Sequence, residues 1–358
     1  VLVPKNDQFP DQNLEEKLKL DIVNSDGTED WIIKPSKITP AMKSKENDRL
    51  SPANLNNIKV FVLKDEGKDK RIKDLTGIEY LTIASMIVTD ASATSSFDIS
   101  TLTKLQKINI YGEDPDSKAC NIKTGNQGTN FKDLQVSVKA SNREPVYKLD
   151  VSKLTSVETL KINYCNYQNI NLGNMIRLKT VDFAYNKLTT FNLRTINNYL
   201  RYLDISHNEV TTIPNISHMP FLEHLDISYN RFPPYPFRAN QFRRLKNIYA
   251  KDSGIAIIEV YESPNLEEVS LGGNNFTTFI FDSSVNTRVR KLSITDSPIN
   301  NAGIQNKQFG SLQSYPGNSN ILKEFHFENL PNINNINFNN IEAAEKIVIK
   351  NTPIQEIV

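Results

Sequence analysis

Leu200-Arg201-Tyr202-Leu203-Asp204-Ile205-Ser206-His207-Asn208 reads L-x-x-L-x-L-x-x-N at every fixed position. The same phrase returns on both sides. Downstream stand Leu222, Leu225, Ile227 and Asn230, then Leu245, Ile248, Ala250 and Ser253, then Leu266, Val269, Leu271 and Asn274, then Val289, Leu292, Ile294 and Ser297. Upstream stand Leu178, Val181, Phe183 and Asn186, preceded by Val157, Leu160, Ile162 and Cys165. Two looser copies close the series, Leu322, Phe325, Phe327 and Leu330, and Ala344, Ile347, Ile349 and Thr352. First positions lie 21, 22, 22, 23, 21, 23, 33 and 22 residues apart, a phase that chance alternation does not hold.

Apolar residues two apart point to one side of a strand. Leu203 and Ile205 therefore face inward, and Tyr202, Asp204 and Ser206 outward. One such strand cannot bury its own apolar face, whereas neighbours stacked into a parallel sheet do. The remaining dozen residues return the chain along the far side, with Phe191 and Leu193, Ile213 and Ile216, and Phe279 and Phe281 facing in. Narrow strands opposite bulkier returns bend such a stack and make the sheet face concave. The expected fold is a leucine-rich-repeat solenoid of the α/β horseshoe type. It has a parallel sheet on the concave face, irregular, short-strand or 3-10 returns on the convex face, and a small helical N-terminal cap.

The asparagine column has a separate cause. After each strand the backbone turns and leaves buried N–H and C=O groups without ladder partners. A carboxamide carries both donor and acceptor and serves them from inside. Asn186, Asn208, Asn230 and Asn274 fit this structural role, and Cys165, Ser253, Ser297 and Thr352 are smaller occupants of the same position. Cys165 is thus read as a buried thiol, with a Cys120–Cys165 disulfide as the alternative.

The rhythm loosens toward the ends. Residues 1–57 do not repeat and are read as a partly helical cap, with Asp11 as N-cap before Leu14 and Leu18 and a second helix start at Thr39-Pro40. The solenoid then occupies 58–358: irregular repeats over 58–150, regular ones over 151–300, an insertion over 303–320 and last repeats over 321–358. In the irregular part, Ile78, Leu81, Ile83 and Met86 suggest one unit and Leu105, Ile108, Ile110 and Glu113 another. A Gly-, Asn- and charge-rich insertion runs from Gly112 to Asn130. The stretch from Phe131 to Ser141 contains a strand in either of two registers, Phe131/Leu134/Val136 or Val136/Val138.

Phe9-Pro10-Asp11 followed by Leu14 and Leu18, then Gly77-Ile78-Glu79-Tyr80-Leu81, resembles the cap and first repeat of internalins. Leu149-Asp150-Val151-Ser152 is similar to return segments of Bacteroidetes leucine-rich-repeat proteins, and Thr211-Thr212-Ile213-Pro214-Asn215-Ile216 to an internalin-style return. The resemblance implies an exported bacterial protein, extracellular or at the cell surface, that binds other macromolecules without catalysis. Val1-Leu2-Val3-Pro4 has neither initiator Met nor signal-like run, so a signal or lipid anchor is expected to precede this chain, and any membrane contact to run through it. The last residues fall inside a repeat, so the alternative role is a structural or assembly module that self-associates or continues through that end. Some caps of these families carry calcium-like loops. Asn24–Asp30 lacks their alternating acidic ligands, and no metal or cofactor is expected.

Composition narrows function further. With 42 basic and 41 acidic residues, the chain has no overall field to draw nucleic acid. It has no phosphate-cradling loop, no paired metal-ligand histidines and no nucleophile elbow. His207 and His224 lie near Asp204 and Asp226, but surface histidines in such repeats are ordinarily solvated. The stronger candidate is a ligand-binding concave face. Its polar-tipped aromatics Tyr185, Tyr202, His224, Tyr229 and Tyr249 cluster beside an acidic row of Asp204 and Asp226, a mix suited to a protein or glycan ligand. The segment Phe232-Pro233-Pro234-Tyr235-Pro236-Phe237 is expected to extend that surface at its rim.

Overall fold

The computed structural model describes residues 60–63, 86–90, 96–113, 121–125, 127, 129–139, 148–173, 175–234, 236–238, 243–260, 265–273, 275, 278–281, 290–298, 323–336 and 345–357. The chain divides into two compact units, Val1–Asn186 and Lys187–Val358. The cap, the calcium-like loop, the 303–320 insertion, Cys120, Tyr235 and Asn274 lie outside the described residues.

In the first unit the strands are β1 (Val60–Leu63), β2 (Met86–Asp90), β3 (Ser96–Asp98), β4 (Lys107–Glu113), β5 (Asn121–Lys123), β6 (Asp133–Lys139), β7 (Leu149–Asp150), β8 (Thr159–Asn163), β9 (Ile170–Asn171) and β10 (Thr180–Asp182). β1, β2, β4, β6, β8 and β10 form one parallel sheet in that order. On the return side, β3 pairs with β5 and β7 with β9, also parallel. The second unit repeats the plan with β11 (Tyr202–Asp204), β12 (His224–Asp226), β13 (Pro236–Arg238), β14 (Asn247–Tyr249), β15 (Ile257–Val260), β16 (Glu268–Gly272), β17 (Thr278–Phe281), β18 (Lys291–Thr295), β19 (Glu324–Glu328), β20 (Asn335–Ile336), β21 (Lys346–Lys350) and β22 (Glu356–Ile357). Its main sheet runs β11-β12-β14-β16-β18-β19-β21, and its return strands pair as β13-β15-β17 and β20-β22. This is a parallel-strand solenoid, and among the described residues its one helical element is the 3-10 turn Ile216–His218.

Register follows the hydrophobic phase. Leu203, Leu225, Ile248, Val269, Leu292 and Phe325 face one another across successive strands and are all buried. Fully burying each such side chain contributes about 1.5–3 kcal/mol. In β21 the corresponding Ile347 is 43% exposed. The first unit settles the open register: Leu134 pairs with Ile108 and Leu160, and Val136 with Ile110 and Ile162, so Phe131/Leu134/Val136 is the inward set.

Three expectations change. Met86 opens a strand and pairs with Lys107, so it does not occupy the post-strand turn that the phase from Ile78 gave it. β1 adds a coil that the motif did not mark. The Gly112–Asn130 segment, read as an interruption, holds the return strand β5 and a buried Gln127 whose Nε2 donates to Ile99 O at 2.5 Å.

Behind the strands run the carboxamides. Asn186 Oδ1 accepts from Cys165 N (3.1 Å) and Tyr167 N (3.2 Å), while its Nδ2 donates to Ile162 O (2.7 Å) and Phe183 O (2.9 Å). In the second unit Asn208 Oδ1 accepts from Leu188 N (2.9 Å), and its Nδ2 donates to Ile205 O (3.0 Å) and Ser206 O (2.9 Å). Asn230 Oδ1 accepts from Val210 N (3.0 Å), and its Nδ2 donates to Ile205 O (2.9 Å), Ile227 O (3.0 Å) and Ser228 O (3.2 Å). Each of these side chains joins its own turn to the coil before it. Cys165 is a buried free thiol, with Sγ 3.3 Å from Asn163 O. Ser253 Oγ donates to Ala250 O (3.1 Å) from the same position.

Asn230→Ala orphans the buried Val210 N–H and should lower the unfolding free energy by about 1–3 kcal/mol. Leu203→Ala, which opens a core cavity, should cost about 2–5 kcal/mol. Urea denaturation followed by far-UV circular dichroism measures both, and a loss below about 0.5 kcal/mol for either contradicts the packing described.

Candidate functional site

The turn that Asn serves has a backbone signature. The residue just before that position takes left-handed φ in coil after coil: Tyr164 (59°) and Tyr185 (58°) in the first unit, then His207 (53°), Tyr229 (53°), Asp252 (46°), Gly273 (61°), Asp296 (50°), Asn329 (54°) and Asn351 (48°) in the second. This conformation costs a side-chain-bearing residue about 1–2 kcal/mol, least for Asn and Asp, and is free for Gly. The later coils use the residues that tolerate it. At Gly273 an added Cβ would lie 1.7 Å from Asp252 Oδ1, so any other residue there needs the Asp252 side chain to move. Asn329 Nδ2 donates to Asp296 Oδ1 (2.5 Å), and Asn351 Nδ2 to Asn329 Oδ1 (2.9 Å). Tyr164, Tyr185 and Tyr229 break the preference, whereas His207 is of a type that this region tolerates.

Those aromatics are stacked in pairs. Tyr164 and Tyr185 lie 4.4 Å apart between centroids in the first unit, and Tyr185 is 42% exposed. In the second unit His207 stacks on Tyr229 at 4.1 Å, Tyr229 is 38% exposed, and Lys251 Nζ lies 6.0 Å from the centre of its ring. A second row crosses the strands: Tyr202 on β11 stacks on His224 on β12 at 4.3 Å and 8°, and His224 meets Tyr249 on β14 at 5.2 Å and 41°. Tyr249 stands in register with Asp226, so it shares the column of Asp204 and Asp226 and not that of His224. The structure thus brings together Tyr202, Asp204, His224, Asp226, Tyr229 and Tyr249 within the second unit. Tyr185 belongs to the first.

The polar groups of this face have definite partners. Asp204 Oδ1 accepts from Ser206 N (2.8 Å) and Asp226 Oδ1 from Ser228 N (2.9 Å), bonds that close the bend at the strand end. Tyr249 donates its hydroxyl proton to Glu268 Oε2 (2.7 Å), and Lys291 Nζ donates to Glu268 Oε1 (2.6 Å). Burial, then the Glu268 contact, pushes the Tyr249 phenol far above its ordinary value. Burial also acts to raise Glu268, but the hydrogen bonds from Lys291 and Tyr249 outweigh it and hold the carboxyl below the usual range.

Known proteins share this plan. The family model described as Leucine Rich repeats (2 copies) matches residues 200–236. The functional domain of InlJ from Listeria monocytogenes, which includes a cysteine ladder, superposes with a TM-score of 0.57 at 17% identity, covering 98% of this chain and 71% of that one. An internalin from the same species, InlF, gives a TM-score of 0.54 at 15% identity over 99% and 94%. No curated protein matches this chain. The chain has a leucine-rich-repeat solenoid fold, internalin-like in its architecture. Among the described residues, no helix of this repeat protein is long and apolar enough to cross a membrane.

The repeat phase also hid features. Phe232 and Phe237, expected at an exposed rim, are buried, because β13 is a return strand whose Phe237 packs into the core. Opposite charges meet across coils at the strand entries, as in Lys132–Glu158 (3.3 Å) and Lys179–Glu158 (2.6 Å) in the first unit. In the second, Arg201–Glu223 (3.6 Å) and Lys246–Glu223 (2.7 Å) do the same. These charges occupy the residue after each first apolar position, and they alternate in sign from Arg201 to Arg290 but not at Lys179–Arg201 or Arg290–Lys323.

Two outcomes follow from these contacts. Tyr229→Asn exchanges a stacked ring for a residue suited to left-handed backbone, so the unfolding free energy should shift by less than about 1 kcal/mol in thermal denaturation, relief of strain opposing loss of a stack. Burial lowers the His207 imidazole below its ordinary value, and the charge of Asp226 only partly offsets this. The unfolded chain therefore takes up this proton first. The contribution of His207 is complete above the ordinary imidazole pKa of about 6.5 and is lost as pH falls through the lower folded value. The melting temperature of His207→Asn should fall less than that of the unmodified protein between pH 7.5 and 5, and equal falls contradict this.

Proposed function

We propose that this chain is a non-catalytic protein-binding module of a secreted or cell-surface protein. It engages its ligand with the outward sheet face of Tyr202, Asp204, His224, Asp226, Tyr229 and Tyr249, and Tyr185 with Tyr164 offers the same chemistry in the first unit. The observation that carries this reading is the presence of large, exposed aromatics in left-handed backbone, where the same column elsewhere uses Asp, Gly and Asn. Strain of this kind persists where surrounding structure enforces it and clusters at ligand-binding places. Tyrosine supplies contact area at low entropic cost together with a hydroxyl.

A protein fits this face better than a glycan. A sugar ring docks on an open aromatic face, but His224 has rings on both sides, and Tyr229 lies between His207 and the Lys251 ammonium. On these two rings, edges and polar tips are what remain for a partner, and these suit the hydrogen-bonding groups of a polypeptide. The resemblance of the repeat and return motifs to exported repeat proteins supports a place outside the cell.

Arrays of extracellular protein domains and of glycans, probed with the purified chain, test the reading. Protein ligands should emerge, with affinity falling at least ten-fold in the Tyr202→Ala/Tyr229→Ala double variant. Tyr199→Ala, exposed but outside the outward columns, should change little. Affinity unaffected by the double variant would remove the sheet face from the function.

A further inference from the structure

The two most exposed large apolar side chains among the described residues lie away from the outward sheet columns. They are Ile196 (55%) and Tyr199 (53%), on the turn of the second unit that leads into β11. Buried Asn197 stands between them and fixes that turn. Its Oδ1 accepts from Tyr199 N (2.8 Å) and Leu200 N (2.9 Å), and its backbone N–H donates to His218 O (2.8 Å) in the next coil. A turn held in this way does not need the side chains of Ile196 or Tyr199, yet it presents both to solvent in one place.

Tyr199, Phe221 and Arg244 each stand three residues ahead of a strand, β11, β12 and β14. The register of those strands makes them neighbours in successive coils, about 4.8 Å from one to the next. Phe221 lies between two guanidiniums, Arg201 at 5.0 Å and Arg244 at 4.6 Å from its ring centre, held there by the negative faces of the ring. Arg201 is otherwise engaged, donating to Asn198 O (3.1 Å) and meeting Glu223 (3.6 Å), and Glu223 is shared with Lys246 (2.7 Å). Arg194, Arg243 and Arg244 are exposed and form no ion pair among the described residues. The backbone of Arg243 is fixed in turn by Asn265, whose Nδ2 donates to its carbonyl (2.8 Å). Unmatched guanidiniums and exposed apolar groups thus share one rigid edge.

We propose that this strand-entry edge is a second docking surface, distinct from the sheet face, for an acidic protein segment that carries apolar anchors. Carboxylates of the segment meet Arg194, Arg243 and Arg244, and its apolar side chains rest on Ile196 and Tyr199. A guanidinium fork takes a carboxylate through two parallel hydrogen bonds. Arg244, already held against Phe221, loses less freedom on binding than a free side chain would. Arginine together with aromatic side chains is the composition of protein interfaces. An anionic polysaccharide needs only the charge, and Ile196 would offer it nothing.

Peptide arrays probed with the full chain test it, with matched twelve-residue sets that are acidic with leucine and phenylalanine anchors, acidic without them, neutral with them, and basic. The acidic, anchored set should bind best and weaken as salt is raised. Affinity for its best member should fall about ten-fold in Arg243→Glu/Arg244→Glu. A comparable fall is expected in Ile196→Ser, which keeps every charge and should move the melting temperature by less than about 2 °C. Tyr202→Ala/Tyr229→Ala should leave these peptides bound, while ligands of the sheet face are lost in that variant and kept in Tyr199→Ala, so the two surfaces fail or stand separately. Selection of neutral or basic peptides, unchanged affinity in either edge variant, or loss of the acidic peptides in Tyr202→Ala/Tyr229→Ala would each overturn the proposal. Equal binding of acidic peptides with and without anchors, accompanied by binding to heparin, would also overturn it, by making the edge a general polyanion site.

Discussion

Everything in this solenoid depends on satisfying the backbone where each strand ends. A strand paired on both sides has its N–H and C=O groups in the ladder, but the chain must then turn across the buried interior. An unpaired group there costs as much as several well-packed methylenes recover. The Asn186, Asn208 and Asn230 carboxamides solve this by accepting from the N–H groups of the preceding coil while donating to carbonyls of their own turn. The hydrophobic column could tolerate Leu, Ile, Val or Phe, because it asks only for volume. The carboxamide column asks for a donor and an acceptor at fixed places, and its smaller occupants serve fewer groups.

That turn fixes a second demand one residue earlier. The left-handed conformation at Tyr164, Tyr185, His207 and Tyr229 is imposed by the turn, not chosen by the residue. Late coils meet it with Asp252, Gly273, Asp296, Asn329 and Asn351, residues that lose little there. The aromatic occupants hold their rings upright at the strand ends, each stacked on its neighbour. The strain that the turn imposes thus falls in part on exposed rings, those of Tyr185 and Tyr229.

The core coils were legible in the sequence because their phase is written twice, in apolar residues two apart and in Asn three beyond. Leu200 to Asn208 is enough to predict both strand and turn. Legibility failed where only one signal was present. Val60–Leu63 is apolar at every residue, so it has no alternation to read, yet it pairs as β1. Ile78, Leu81 and Ile83 carried apolar spacing without the turn signal, and the described strand begins at Met86. Polar composition concealed β5, a three-residue strand held by its ladder to β3. Phe232 and Phe237 misled for the opposite reason: prolines between them suggested an exposed rim, while the fold turned both rings inward. Of the face, outward direction followed from period two, so its membership was readable. The stacking of its rings and the sign of backbone φ were not, since both arise from neighbouring coils 21 to 23 residues away.

The alternating charges at the strand entries carry a consequence for how such an array can lengthen. Arg201, Glu223, Lys246 and Glu267 follow one another in four successive coils, acid after base. Duplicating any single coil would set two like charges side by side, whereas duplicating a pair preserves the order. For these four coils, insertion of a pair is thus electrostatically milder than insertion of one, by the small cost of a like-charge surface neighbour.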